Sequence, residues 1–163
     1  MISSDFWKVT AMNRSTFMYV TYIRTTPEKL WAALTDPATM KQYWFGMHQE
    51  TDWLPGSAWR LVFPDGKTAD TGEILEADKP RRLVIKWRNE FRPELQVEGY
   101  SRCTMELEPA ANAVKLTITH VMERGDSRFI EAVTGGWPKI LSNLKSLVES
   151  GHIALDVAYP ART

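Results

Sequence analysis

Ser101, Cys103 and His120 are residue types that carry proton transfer and nucleophilic attack, and strand alternation brings them together. His120 belongs to the inward-parity series Val114, Leu116, Ile118, His120 and Met122, where every other member is apolar, so its imidazole needs a partner. With a turn centred on Ala110 and Ala111, antiparallel pairing puts His120 opposite Ser101 and Cys103 diagonally adjacent. Three readings follow: an imidazole that anchors a ligand, a core histidine bonded to Ser101 or backbone, or a Cys103–His120 nucleophilic dyad. The dyad needs an acidic group to orient the imidazole, and none shares that face.

Other chemistry lacks a local signature. His48, His120 and His152 are scattered, and neither an H-E-x-x-H nor a C-x-x-C spacing occurs, so no metal site is expected. His48 and His152 are expected on solvated surface. No G-x-G-x-x-G, P-loop or G-x-S-x-G is present, so no nucleotide or other cofactor is expected and no serine nucleophile is marked. Asp52, Glu73, Glu76, Glu106 and Glu108, with Arg60 and Arg88, fall at parities that suggest solvated positions. No catalytic residue is assigned.

Twenty basic and twenty acidic side chains cancel, so no global field draws the chain to nucleic acid or to an anionic membrane. No apolar run approaches the ~20 residues that span a bilayer, and no signal peptide is visible. A single cysteine excludes an internal disulfide and suits the cytoplasm. Seven Trp in 163 residues supply large apolar area that fills a core or lines a pocket.

The elements that must position these residues have clear punctuation. Residues 16–24 read as a strand. Thr26-Pro27 and Asp36-Pro37 each offer a cap followed by a first-turn proline, so two short helices follow, the second ending about Tyr43. Then the period changes to two. Strands are predicted over 57–63, 70–77, 81–89, 100–108 and 113–122, with a loop near 90–99, and short turns make consecutive strands antiparallel. From 127 to 151 Phe129, Val133, Trp137, Ile140, Leu144 and Leu147 share a helical face, Gly151 is a stop, and Pro138 predicts a kink or restart near 134–137. Gly135-Gly136 is expected at the helix start, where it either gates a cavity mouth or relieves crowding beneath Trp137. The class is α+β: one sheet of about six or seven antiparallel strands covered by a long C-terminal helix. We divide the chain into an N-terminal extension 1–15, a domain 16–151 and a C-terminal tail 152–163 with frayed ends.

Alternation assigns Trp59, Leu61 and Phe63 to one face, with Leu83, Ile85 and Trp87 inward on the next strand. The residues expected to line a cavity are Trp59, Phe63, Trp87, Ser101, Cys103, His120, Phe129, Val133, Trp137 and Ile140. The competing reading is a filled core made of the same side chains.

The run Thr26-Pro27-Glu28-Lys29-Leu30-Trp31-Ala32-Ala33-Leu34-Thr35-Asp36-Pro37, with Tyr43-Trp44-Phe45-Gly46, resembles the opening of the heat-shock-protein-90 ATPase activator homologue-like family. This family is part of the START-like, Bet v 1-like (SRPBCC) superfamily. Leu83-Val84-Ile85-Lys86-Trp87, Leu116-Thr117-Ile118-Thr119-His120 and Gly135-Gly136-Trp137 extend the resemblance from Phe17 to Gly151. It implies a helix-grip fold, a curved sheet wrapped around the C-terminal helix with a cavity between them. Members of the superfamily bind lipids, hormones or polyketides, and a few are cyclases or hydrolases. The expected function is binding of a small apolar or amphipathic molecule. The alternatives are a cyclase- or hydrolase-like enzyme, in which His120 supplies a proton, and a chaperone-partner or protein-interaction module.

Overall fold

Thr26 and Asp36 set the geometry of the first third of the chain. Thr26 Oγ1 accepts from the Lys29 amide at 3.3 Å, and Pro27 opens helix α1 (Pro27–Thr35). Asp36 ends that helix and caps the next, accepting from the amide and hydroxyl of Thr39 at 3.0 and 2.6 Å, so α2 (Pro37–Tyr43) leaves at an angle with no intervening linker. The computed structural model describes residues 13–156. The expected extension 1–15 and tail 152–163 therefore lie in part outside the described residues.

The strands are β1 (Ser15–Ile23), β2 (His48–Glu50), β3 (Ala58–Val62), β4 (Thr68–Asp78), β5 (Arg82–Asn89), β6 (Ser101–Ala110) and β7 (Ala113–Met122). They form one antiparallel sheet in the order β1-β7-β6-β5-β4-β3-β2, within the expected six or seven strands. The short strand β2 was not foreseen. Three residues are too few to show a period, and only pairing with β3 defines it. Register shifts between Leu61 and Val62 and between Ile74 and Glu76 each leave one extra residue on β4, as a bulge does. At the β6–β7 turn Ala110 pairs with Ala113, and Ala111 takes a positive φ of 56°. The turn thus lies one residue further on than expected. His120 pairs directly with Cys103, and Ser101 is the diagonal neighbour.

The segment 90–99, expected to be a loop, contains the short helix α3 (Pro93–Gln96). Its consequence is Glu98, whose carboxylate sits at the N-terminus of the long helix α4 (Arg128–Ser150). Glu98 Oε1 accepts from Ser127 Oγ at 2.6 Å and the Phe129 amide at 3.3 Å, and Oε2 accepts from the Arg128 amide at 2.8 Å. Ser127 Oγ in turn accepts from the Ile130 amide at 3.1 Å, so three orphan donors of the first turn are satisfied. Burial pushes the Glu98 carboxyl up, but the Ser127, Arg128 and Phe129 bonds outweigh it and hold the group below its usual range. Glu98→Ala is expected to lower stability by about 1–2 kcal/mol at neutral pH. Because the folded pKa is depressed, this contribution is present above the unfolded value and vanishes as pH falls through the folded one. Urea denaturation of the pair at neutral and acid pH measures it, and an unchanged midpoint at neutral pH would contradict the cap.

Helix α4 runs unbroken through Pro138 and ends at Gly151, which adopts φ 83°. Of the kink or restart expected near 134–137, the restart does not occur. Gly135 and Gly136 stand well inside the helix, and a Cβ built on either meets nothing within 4 Å. Beyond Gly151 the chain is tied down: buried Asn143 accepts from the amides of Ala154 and Leu155 at 2.9 and 2.7 Å and donates to the Leu155 carbonyl at 2.9 Å. These bonds hold Ala154 and Leu155, at the start of the expected tail, against the helix. Leu83, Ile85, Met105, Leu116 and Ile118 of the concave face and Leu141 and Leu144 of α4 form the core between sheet and helix.

Candidate functional site

Of the tryptophans buried in the core, three donate their indole N–H to a side-chain acceptor, as a buried donor ordinarily must. Trp59 Nε1 donates to Gln49 Oε1 at 2.8 Å, Trp87 Nε1 to Asp70 Oδ2 at 2.9 Å, and Trp137 Nε1 to His120 Nδ1 at 3.2 Å. Trp87 connects the group, with ring centroids 4.4 Å from Trp59, 5.9 Å from Trp137 and 6.2 Å from Trp44.

His120 is fully buried. Because the Trp137 indole can only donate, Nδ1 is an acceptor, and the proton resides on Nε2. Nε2 then donates to Ser101 Oγ at 2.7 Å, and the Ser101 hydroxyl donates to the Trp87 carbonyl at 3.0 Å. The chain Trp137–His120–Ser101–Trp87 is complete, with the imidazole neutral and both nitrogens occupied. Burial pushes its pKa down to about 3. Burial also pushes the Cys103 thiol up, away from the thiolate. No nitrogen of His120 is left to activate Cys103, so the geometry is that of a bonded core histidine and not of a nucleophilic dyad.

A pocket of about 200 Å³, partly open to solvent, lies beside this cluster, between the sheet and α4. Phe63, Trp87, Phe129, Val133, Trp137 and Ile140, all expected at the site, are on its wall. Trp59, Ser101, Cys103 and His120 are not. They stand in the core behind the wall, because Trp87 and Phe129 pack against the imidazole at 5.2 and 5.1 Å and fill the space in front of it. The half-exposed Phe91, in edge contact with Phe63 at 4.9 Å, and exposed Arg92 mark the mouth. Gly136 faces the same space from the helix.

Asp70 is the polar group on this wall that sequence reading missed. It is 6% exposed, and its Oδ1 has no hydrogen-bond partner. Burial pushes the carboxyl up to about 7; the Trp87 indole and neighbouring Asn89 draw it down, and the charge of Glu90 raises it further. A signal was available, since Asp70 has the parity of inward-facing Ile74, but alternating charges in strands ordinarily face water. Of the two histidines expected on solvated surface, His152 is exposed, whereas His48 is half-buried and meets Glu50 Oε1 at 3.1 Å. Among the described residues no three His, Cys, Asp or Glu gather into a metal-binding group, and no helix is long and apolar enough to cross a membrane.

The family model described as "Activator of Hsp90 ATPase homolog 1-like protein" matches residues 24–149. No curated protein matches the chain. Among solved structures, an HSP90 activator from Plasmodium falciparum is 27% identical, covering 81% of this chain and 94% of its own, with a TM-score of 0.66. A Mesorhizobium loti protein, 23% identical over 82% of this chain and 96% of its own, superposes with a TM-score of 0.70. CalU16 from Micromonospora echinospora is 20% identical over 83% and 76% respectively, with a TM-score of 0.65. The last two are similar in fold.

Proposed function

The chain belongs to the Activator of Hsp90 ATPase homolog 1-like family, and from that premise we propose that it is a binding protein for a small apolar or amphipathic molecule, working without catalysis in the cytoplasm. The observation that carries this reading is the apolar-walled cavity of about 200 Å³ between sheet and α4. A cavity of roughly 150 Å³ suffices for benzene, so a body of one or two rings, or a short acyl chain, is the class that fits. The absence of a free nitrogen on His120 favours binding over an enzyme that uses this residue as a base.

Gly136 supplies the test. It lines the cavity and has open space where a side chain would go, so Gly136→Leu should fill the cavity from the helix side. Replacing a helical glycine also improves helix propensity by up to about 1 kcal/mol, so the variant should be at least as stable as the parent. Bromobenzene, a heavy-atom quencher, should quench tryptophan emission saturably in the parent because Trp44, Trp87 and Trp137 are on the wall. Gly136→Leu should abolish the saturable phase with no loss of thermal stability. Equal quenching of both proteins would remove the support for a binding cavity.

A second reading, a protein-interaction module, has its own observation. Met18, Val20 and Tyr22 project from the outer face of edge strand β1, exposed by 61, 43 and 53%. Their replacement by Thr should leave the bromobenzene titration unchanged and so separates this face from the cavity.

A further inference from the structure

A carboxyl group buried on an apolar wall with one oxygen unbonded is unfavourable unless something that is absent from the bare chain completes it. Asp70 is in that position. Its Oδ2 receives the Trp87 indole, its Oδ1 has no partner at hydrogen-bond geometry although the Asn89 side chain stands close enough to draw the carboxyl down, and the charge acting on it is that of Glu90, which has the same sign. Around the space stand the rings of Trp44, Trp87, Trp137 and Phe129, with Phe63 and Phe91 toward the mouth. Aromatic faces and a carboxylate share one preferred partner: a desolvated organic cation. Arg92 is also on the rim, but its guanidinium Nε donates outward to Glu94 at 2.8 Å.

We infer that the cavity recognises a small amine with a ring-sized apolar body, its ammonium donating to the free oxygen of Asp70 while the body lies among the tryptophans. This inference rests on the binding-protein reading and specifies its ligand. A turn about the Asp70 Cβ–Cγ bond exchanges the two oxygens, so either one can meet the ammonium while the other keeps the indole. Entry of the cation favours the ionised carboxylate. At pH 6 the carboxyl is largely protonated in the empty protein, and binding therefore releases a proton from Asp70 to solvent.

The test compares 2-phenylethylamine, 2-phenylethanol and propylbenzene, three probes of one shape that differ in the terminal group, by calorimetric titration into wild type, Asp70→Asn and Gly136→Leu. Asp70→Asn keeps the shape and an acceptor for Trp87, and near-ultraviolet circular dichroism verifies its packing. The expected result is amine binding at least tenfold tighter than propylbenzene in wild type. Asp70→Asn should reduce the amine's affinity at least tenfold while changing that of propylbenzene less than twofold. Wild-type titrations in buffers of different ionisation enthalpy should report release of a proton at pH 6, a measurement that needs no variant. The amine inference alone is overturned if propylbenzene binds and Gly136→Leu blocks it, yet the amine shows no preference or no dependence on Asp70. It is likewise overturned if the alcohol binds as tightly as the amine, which would assign a hydroxyl ligand. Failure of all three probes to bind wild type overturns the amine inference and the binding-protein reading together.

Discussion

Gly72→Ala is expected to leave little folded protein at physiological temperature. Gly72 is in β4 opposite Trp87 of β5, and its φ is not in the left-handed region, so the requirement is one of space rather than conformation. A Cβ there would lie 1.6 Å from the Lys86 carbonyl oxygen and 2.6 Å from its carbon, both backbone atoms of the neighbouring strand. No rotamer change relieves that contact. The strands must part by more than an ångström, which breaks ladder bonds and drags Trp87 away from its Asp70 acceptor. Overpacking between side chains costs about 1–3 kcal/mol; a backbone collision in a central strand should exceed this and reach about 4 kcal/mol or more, against a total of about 5–15 for a domain. Denaturant unfolding followed by tryptophan emission measures it. A variant melting within a few degrees of the parent would show that β4 and β5 separate freely, contrary to this geometry.

Caps and breakers act locally, so Thr26-Pro27, Asp36-Pro37 and Gly151 marked their helix ends, and alternation put His120 and Trp87 inward. Which inward residues face a void and which face one another depends on packing between distant elements, and no spacing rule carries that. His120 has inward parity and is buried, yet Trp87 and Phe129 stand between it and the cavity. Trp44, from the α2 exit, reaches the cavity wall although nothing in its local sequence points there. Asp70 was hidden by its charge: the pattern that places charges in water is right for Glu73 and Glu108 and fails for the one carboxyl that matters to the cavity. The capping of α4 by Glu98 joins segments 29 to 31 residues apart and depends on a single turn of helix, α3, too short to show a period.

Asp70 and His120 are expected to make the pH dependence of stability nearly flat across a range where either alone would tilt it. Burial depresses His120 from 6.5 to about 3, so between these values the unfolded chain binds a proton that the native protein refuses, and stability rises with pH. Burial raises Asp70 from 3.8 to about 7, so between those values the native protein holds a proton that the unfolded chain has lost, and stability falls with pH. Each slope approaches about 1.4 kcal/mol per pH unit within its window. The windows overlap between about 4 and 6.5, where the opposing slopes cancel. Asp70→Asn removes only the falling slope. Its stability should climb through the His120 window and exceed that of wild type by about 2–4 kcal/mol above pH 7, where the native parent holds a buried carboxylate. Urea midpoints of the two proteins, taken at intervals from pH 4 to 8, give the difference curve; shared contributions such as the Glu98 cap drop out of it. Parallel profiles would mean that Asp70 is hydrated in solution, and would leave its unpaired oxygen nothing to gain from a ligand. A diverging pair, with the more stable variant the one that no longer distinguishes 2-phenylethylamine from propylbenzene, would identify the stability given up at neutral pH with the group that selects the amine.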